Sequence, residues 1–292
     1  MQNFFCMDFA YGISLHSLNY KTYFTIKQIK IEKRLKKCYT WRMPVKNSNY
    51  SVIYSDDDFV VLNKRSGILI AADRYNEDAP RLDLLAQEEF GKLYAVHRID
   101  KDTSGLIIYA RTPEAQRNLS MQFEKREVQK TYHALVYGHP LWENLEVDLP
   151  LQPDGDSRHR TVVNKRFGKP SLTSFRLIGS CGPYSWIEAK PKTGRTHQIR
   201  VHLAENGFSI VCDPLYSGNQ KPVRLSEIKK KWNGDEYEER PLLSRLALHA
   251  WKIEFKHPTS GESVSFTAPY PKDMDATRKQ LAKIFGVDPL AE

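Results

Sequence analysis

Apolar and polar positions change period several times along this chain. Val52, Ile53 and Tyr54 form a short apolar run, Asp56-Asp57-Asp58 interrupt it, and residues 59–62 form a second. This is a strand–turn–strand pattern, because aspartate side chains bond to nearby backbone and favour turns. Residues 82–90 have a helical pattern, and the unbroken apolar run 106–110 predicts a short buried strand. Thr112-Pro113 predicts a helix start, with threonine as N-cap and proline at the first helical position. Ala115, Leu119 and Phe123 then recur on one face of that helix. Residues 131–138 alternate: Tyr132, Ala134 and Val136 point one way, His133, Leu135 and Tyr137 the other, and Gly138 ends the strand. Further strands are expected at 174–177, 186–190 and 252–255. Between 192 and 207 the period becomes helical, placing His197, Arg200 and Ala204 near one face. A short amphipathic helix is expected at 275–285. Strands and helices are interspersed without regular βαβ alternation. The expected class is therefore α+β, with a mixed, mainly antiparallel central sheet flanked by helices.

The 292 residues suffice for one large domain with appendages. Residues 1–42 differ from the rest, being aromatic and then basic with no clear period. They are expected to be a basic extension that is disordered, RNA-binding or not natively translated, with Met43 as the natural start of a catalytic domain spanning 43–292. Residues 219–244 are densely charged and predict a surface excursion. The net charge of +9 favours a polyanionic partner, but residues 1–42 hold +6 of it and the remainder only +3. A solvated basic tail has the same composition, so charge alone argues weakly for the main domain. No run approaches the roughly 18 apolar residues of a membrane span, and no membrane partner is expected. Cys6, Cys38, Cys181 and Cys212 show no C-x-x-C spacing, which fits reduced thiols in a cytoplasm. Neither metal-ligand spacing nor a phosphate-binding glycine loop occurs, so neither a metal nor a cofactor is expected.

Two polar segments sit among these apolar elements. The first, residues 97–105 (HRIDKDTSG), leads directly into the buried run 106–110. Charges packed there need deliberate partners, because unpaired buried charge is costly. A capped turn would use the same residue types. The second, residues 192–203 (KTGRTHQIRVHL), places Arg195 and Arg200 after a glycine turn. Two such arginines could bind phosphate or hold a carboxylate bidentately; an exposed basic helix would read the same way.

Together with four other segments, these resemble the motifs of the RluA-type family of RNA pseudouridine synthases, in family order. The segments are 63–70 (NKRSGILI), 97–110 (HRIDKDTSGLIIYA), 129–138 (QKTYHALVYG), 191–216 (PKTGRTHQIRVHLAENGFSIVCDPLY), 246–258 (LALHAWKIEFKHP) and 264–274 (VSFTAPYPKDM). The resemblance implies the pseudouridine synthase catalytic fold and isomerisation of uridines in structured RNA, ribosomal or transfer, with no cofactor. It places Asp100 at the catalytic aspartate, Tyr132 at the tyrosine lying against the target uracil, and Arg200 at the arginine pairing with the aspartate. It also places Arg98 where RNA is held at the position vacated by the flipped base. His97, Thr103 and Arg195 complete the expected RNA-contacting set.

The pattern has departures. Arg65 and Ser209 stand where the family has proline, Cys212 where it has glycine, and Ile99 where it has leucine. Glycine at the Cys212 position would serve close backbone approach. Residues 1–42 show no pattern of the S4-type RNA-binding domain that often precedes the catalytic domain. Two other readings stay open: a non-catalytic RNA-binding protein on the same fold, and a glycoside or nucleoside hydrolase. The latter needs a second carboxylate, and Asp102 is close in sequence to Asp100 for that role. A monomer is the default.

Overall fold

The computed structural model describes residues 49–71, 80–218 and 221–290, all within the unit Lys46–Glu292. The expected extension 1–42 lies outside the described residues. The first two strands, β1 (Tyr50–Ser55) and β2 (Phe59–Lys64), form an antiparallel hairpin. Its turn is closed by Asp56, whose Oδ1 accepts the N–H groups of Asp58 and Phe59, both at 2.8 Å. The two-residue β3 (Tyr94–Ala95) pairs with β4 (Ser104–Ala110), which also pairs with β2. Every residue of β4 is buried, which explains its unbroken apolar sequence: both faces of the strand are covered.

The remaining strands are β5 (Gln129–Tyr137), β6 (Asn144–Asp148), β7 (Leu151–Gln152), β8 (Val162–Val163), β9 (Leu172–Cys181), β10 (Tyr184–Pro191), β11 (Leu248–Lys256) and β12 (Ser263–Thr267). The main sheet runs β1-β2-β4-β11-β5-β10-β9-β6, with β12 on β11 and β7–β8 as a separate pair. Among the described strands, only β4 and β11 pair in parallel, with His249 opposite Ser104 and Ala250 opposite Gly105. The mixed, mainly antiparallel α+β architecture is therefore the one expected.

Helix α1 (Leu82–Phe90) packs Leu82 and Ala86 with Val60, Leu62, Ile107 and Tyr109. Helix α2 (Pro113–Glu124) packs Ala115 and Leu119 with the alternate residues Phe59, Val61, Leu106 and Ile108. The two helices thus cover opposite faces of β2 and β4, consistent with side-chain alternation along a strand. Thr112 caps α2 as expected, its Oγ1 accepting the Ala115 N–H at 3.1 Å. Helix α3 (Gln198–Glu205), the short α4 (Leu225–Ile228) and α5 (Lys272–Phe285) border the larger cluster built on β5, β9 and β10.

Two expectations need correction. The helical period expected over 192–207 yields a helix of only eight residues, and His197 lies outside it as a left-handed N-cap with φ 53°. The last helix begins at Lys272, three residues before the expected 275. The charged stretch 219–244 is mostly exposed where described, but Val223, Ile228 and Leu243 join the core and anchor it.

Candidate active site

The loop from β3 to β4 carries His97 to Thr103, and its conformation is held from several sides. His97 Nε2 accepts the Ile108 N–H at 2.9 Å, and its ring stacks on Phe123 with centroids 4.4 Å apart. Burial, reinforced by the Lys130 ammonium, pushes the imidazole down to about 3, so it remains a neutral acceptor. Ile99 turns into the cluster with Leu62, Ile107 and Ala250, while Arg98 stays exposed. A tight turn follows, in which the Thr103 N–H donates to the Asp100 carbonyl at 3.2 Å.

Lys64 fastens this turn from beneath. It is 1% exposed, and its ammonium donates to the carbonyls of Arg65, Ile68 and Lys101 at 2.9, 2.9 and 2.7 Å. All three ammonium donors are used, which reconciles a buried charge with its surroundings. Burial pulls this group down to about 7, opposed by the carboxylates of Asp102 and Asp100. On the other side, Ser66 Oγ donates to the Asp102 carbonyl at 2.6 Å. Ser104 Oγ lies 3.0 Å from His249 Nδ1. The Asp100 carboxylate thus projects from a backbone with little freedom.

Arg200, on α3, faces it. Its Nε and Nη2 donate to the two oxygens of Asp213, each at 2.8 Å, and its Nη1 lies 3.5 Å from Asp100 Oδ2. Asp213 is fully buried and also accepts the N–H groups of Leu215 and Tyr216 at 2.8 and 3.1 Å. Burial works against the Arg200 charge, but Asp213, with Asp100 beyond it, outweighs burial and holds the guanidinium above its ordinary value. The sequence suggested Arg200 as the partner of Asp100. The geometry is more specific: a bidentate pair with Asp213 fixes the guanidinium plane, leaving one nitrogen directed at Asp100. The Tyr216 ring lies 5.1 Å from the guanidinium, and its hydroxyl meets His197 Nδ1 at 2.9 Å.

Tyr132 projects from β5 beside these groups. Burial, then the Asp100 carboxylate, pushes its phenol above the ordinary range, so the hydroxyl keeps its proton. Two residues earlier on the same face, burial pulls the Lys130 ammonium down to about 8. Asp100, Tyr132, Arg200, Arg98, His97, Thr103 and Arg195 all border one cleft of about 490 Å³, a size suited to a small organic group. The Thr103 hydroxyl is buried without a hydrogen-bond partner among the described residues. Asp213, Tyr216, Lys64 and Lys130 were not singled out from the sequence. The first two stand in the quoted segment ending CDPLY, and Lys64 in NKRSG, but nothing local to those segments reveals their partners. Among the described residues, no group of three or more histidine, cysteine or acidic side chains is placed to hold a metal ion.

The fold is a mixed α+β sheet whose cleft joins a carboxylate, a guanidinium and a tyrosine, and comparison with known proteins gives its class. The family described as "RNA pseudouridylate synthase" matches residues 58–205. "Dual-specificity RNA pseudouridine synthase RluA" of Escherichia coli K12 is 35% identical over 219 residues, covering 75% of this chain and 92% of that protein. "Ribosomal large subunit pseudouridine synthase D" of Neisseria meningitidis serogroup B is 35% identical over 230 residues, covering 76% of this chain but only 59% of that protein. The solved structure of "Human RNA Pseudouridylate Synthase Domain Containing 1" superposes with a TM-score of 0.58 at 27% identity, covering 79% of this chain and 87% of that one. The chain belongs to the RNA pseudouridylate synthase family.

Proposed function

We propose that this protein isomerises particular uridines of structured RNA to pseudouridine, using the carboxylate of Asp100. The observation that carries this reading is the convergence of Asp100, Arg200 and Tyr132 in one cleft, with Arg200 fixed by Asp213 and directed at Asp100. The reaction breaks the C1′–N1 bond of a uridine, turns the uracil and joins C5 to C1′. The proton lost from C5 is balanced by one gained at N1. A base stacked in a helix cannot reach such a cleft, so the target nucleotide flips out, at a cost of a few kcal/mol.

Each side chain then has a defined task. Asp100, facing the Arg200 guanidinium, is the nucleophile or base. Tyr132 keeps its proton and offers a ring face to the uracil and an O–H donor. Arg98, exposed on the loop, and Arg195, on the opposite rim, meet the RNA backbone, while the His97 ring is part of the wall. Ribosomal or transfer RNA is the substrate, acting as a partner of a cytoplasmic, monomeric protein without a cofactor; the free thiols of Cys181 and Cys212 suit such a compartment.

The test uses the full-length chain and its Asp100→Asn variant, each incubated with bulk RNA from cells lacking the gene. Carbodiimide labelling and primer extension then map pseudouridine. New stops are expected with the wild type only, together with RNA binding by both proteins. RNA binding without stops by the wild type would overturn the catalytic reading.

A further inference from the structure

Outside the cleft, the segment that returns from β8 towards β9 displays an aromatic ring to solvent. Phe167 is 67% exposed, and the guanidinium of Arg166 lies 4.9 Å from its ring centroid. Lys165, Arg166 and Lys169 around it are exposed, and none has an ion-pair partner among the described residues. A ring in water, capped by a cation and flanked by unpaired bases, has the composition of a nucleobase-stacking point.

The turn that presents this ring is well built. Asn164 Oδ1 accepts the N–H groups of Arg166 and Phe167 at 2.9 and 3.0 Å, and Asn164 Nδ2 donates to Gln152 Oε1 at 2.6 Å. The Gly168 N–H closes the turn on the Asn164 carbonyl at 2.8 Å. A Cβ on Gly168 would lie 2.4 Å from that oxygen. One end of the segment is tied to the cleft rim through Arg195, and the other to Leu215 and to Tyr216, which packs against Arg200 and His197. Arg195 Nε donates to the Pro170 carbonyl at 3.3 Å, the Thr161 N–H donates to the Tyr216 hydroxyl at 3.0 Å, and Arg160 Nη1 donates to the Leu215 carbonyl at 2.9 Å. Phe167 lies three positions before Pro170, a span of at most about 11 Å. An RNA strand leaving the cleft over Arg195 therefore passes close to the ring.

We propose that Phe167, with Lys165, Arg166 and Lys169, forms a second RNA contact that stacks an unpaired base flanking the target uridine. This rests on the reading of the protein as RNA-modifying. The contact adds affinity and selects for an unpaired flank, because a paired base hides its face in the helix.

The experiment titrates the full-length chain, Phe167→Ala, Phe167→Trp and Arg166→Gln against a fluorescent oligouridylate of roughly 12 nucleotides, within the size range of single-strand sites. Binding is read by anisotropy over a range of salt concentrations. Phe167→Ala is expected to weaken binding about tenfold, the loss of one base–aromatic stack, without changing the salt slope. Phe167→Trp is expected to restore binding. Arg166→Gln should reduce the salt slope by about 0.7, one single-strand phosphate contact. Ultraviolet cross-linking followed by trypsin digestion should yield a nucleotide on the peptide containing Phe167. Wild-type affinity in Phe167→Ala, with cross-links confined to cleft peptides, overturns the proposal. So does a changed sedimentation coefficient with unchanged RNA affinity, which makes Phe167 a protein contact. A wild-type chain that binds neither this probe nor bulk RNA overturns the RNA reading itself as well.

Discussion

Lys64 shows how a single buried charge supports the site without touching the cleft. Its ammonium joins the backbone after β2 to the Lys101 carbonyl, one residue beyond Asp100. Lys64→Met would leave three carbonyls short of a donor, and a buried unsatisfied group costs about 1–3 kcal/mol. The variant is expected to lose roughly 3 kcal/mol or more in urea unfolding, with a lower turnover as the Asp100 loop loosens. Wild-type stability in that variant would mean that water replaces the ammonium freely. Cys212 poses a different residue-scale question. It stands where the related motif has glycine, and its φ is 55°. The reason for glycine is therefore conformational, since a left-handed residue with a Cβ costs about 1–2 kcal/mol. The chain offsets part of this by burying the thiol against the carbonyls of Lys221 and Leu243.

Among the elements, the parallel contact of β4 with β11 decides where the Asp100 loop ends. Gly105 has φ 110°, and a Cβ there would lie 2.3 Å from the Ala250 carbonyl oxygen and 2.7 Å from its nitrogen. The clash is with backbone, which cannot move aside as a flexible side chain can. Gly105→Ala is therefore expected to be severely destabilised or insoluble, as judged by soluble yield and urea midpoint, although Asp100 itself is unchanged. A soluble variant of wild-type midpoint would show that the two strands can separate at little cost. Helix α3 makes a complementary point. Its N-cap His197 is left-handed and held by Tyr216, which sets the direction in which the helix offers Arg200.

Across the whole molecule, burial of neutral histidines sets the response to acid. Burial pushes His97 down to about 3 and His133 and His249 to about 4, against about 6.5 in an unfolded chain. Between those values the unfolded chain binds protons that the folded chain refuses, so stability falls as pH is lowered from about 6.5 towards 4. Asp273 and Glu188, both held below their ordinary values by ion pairing that outweighs burial, add losses of the same sign at the acidic end. The thermal midpoint is therefore expected to decline steadily over that window. A midpoint that stays flat from pH 7 to pH 4.5 would contradict buried neutral histidines.

Much of the fold is legible in the sequence itself. The apolar runs of β1, β2 and β4, the Thr112-Pro113 start of α2 and the alternation along β5 follow from local sterics and solvent exclusion, which act over a few residues. The ordered motifs led to Asp100, Tyr132 and Arg200. Tertiary structure alone decided which carboxylate holds Arg200 bidentately, which carbonyls Lys64 satisfies, that β4 and β11 run in parallel, and that Phe167 stands exposed. Periodicity tells which way a side chain points, but its partner comes from chain segments far away in sequence. Asp100 and Arg200 meet only because the fold brings the β3–β4 loop and helix α3, distant in sequence, together.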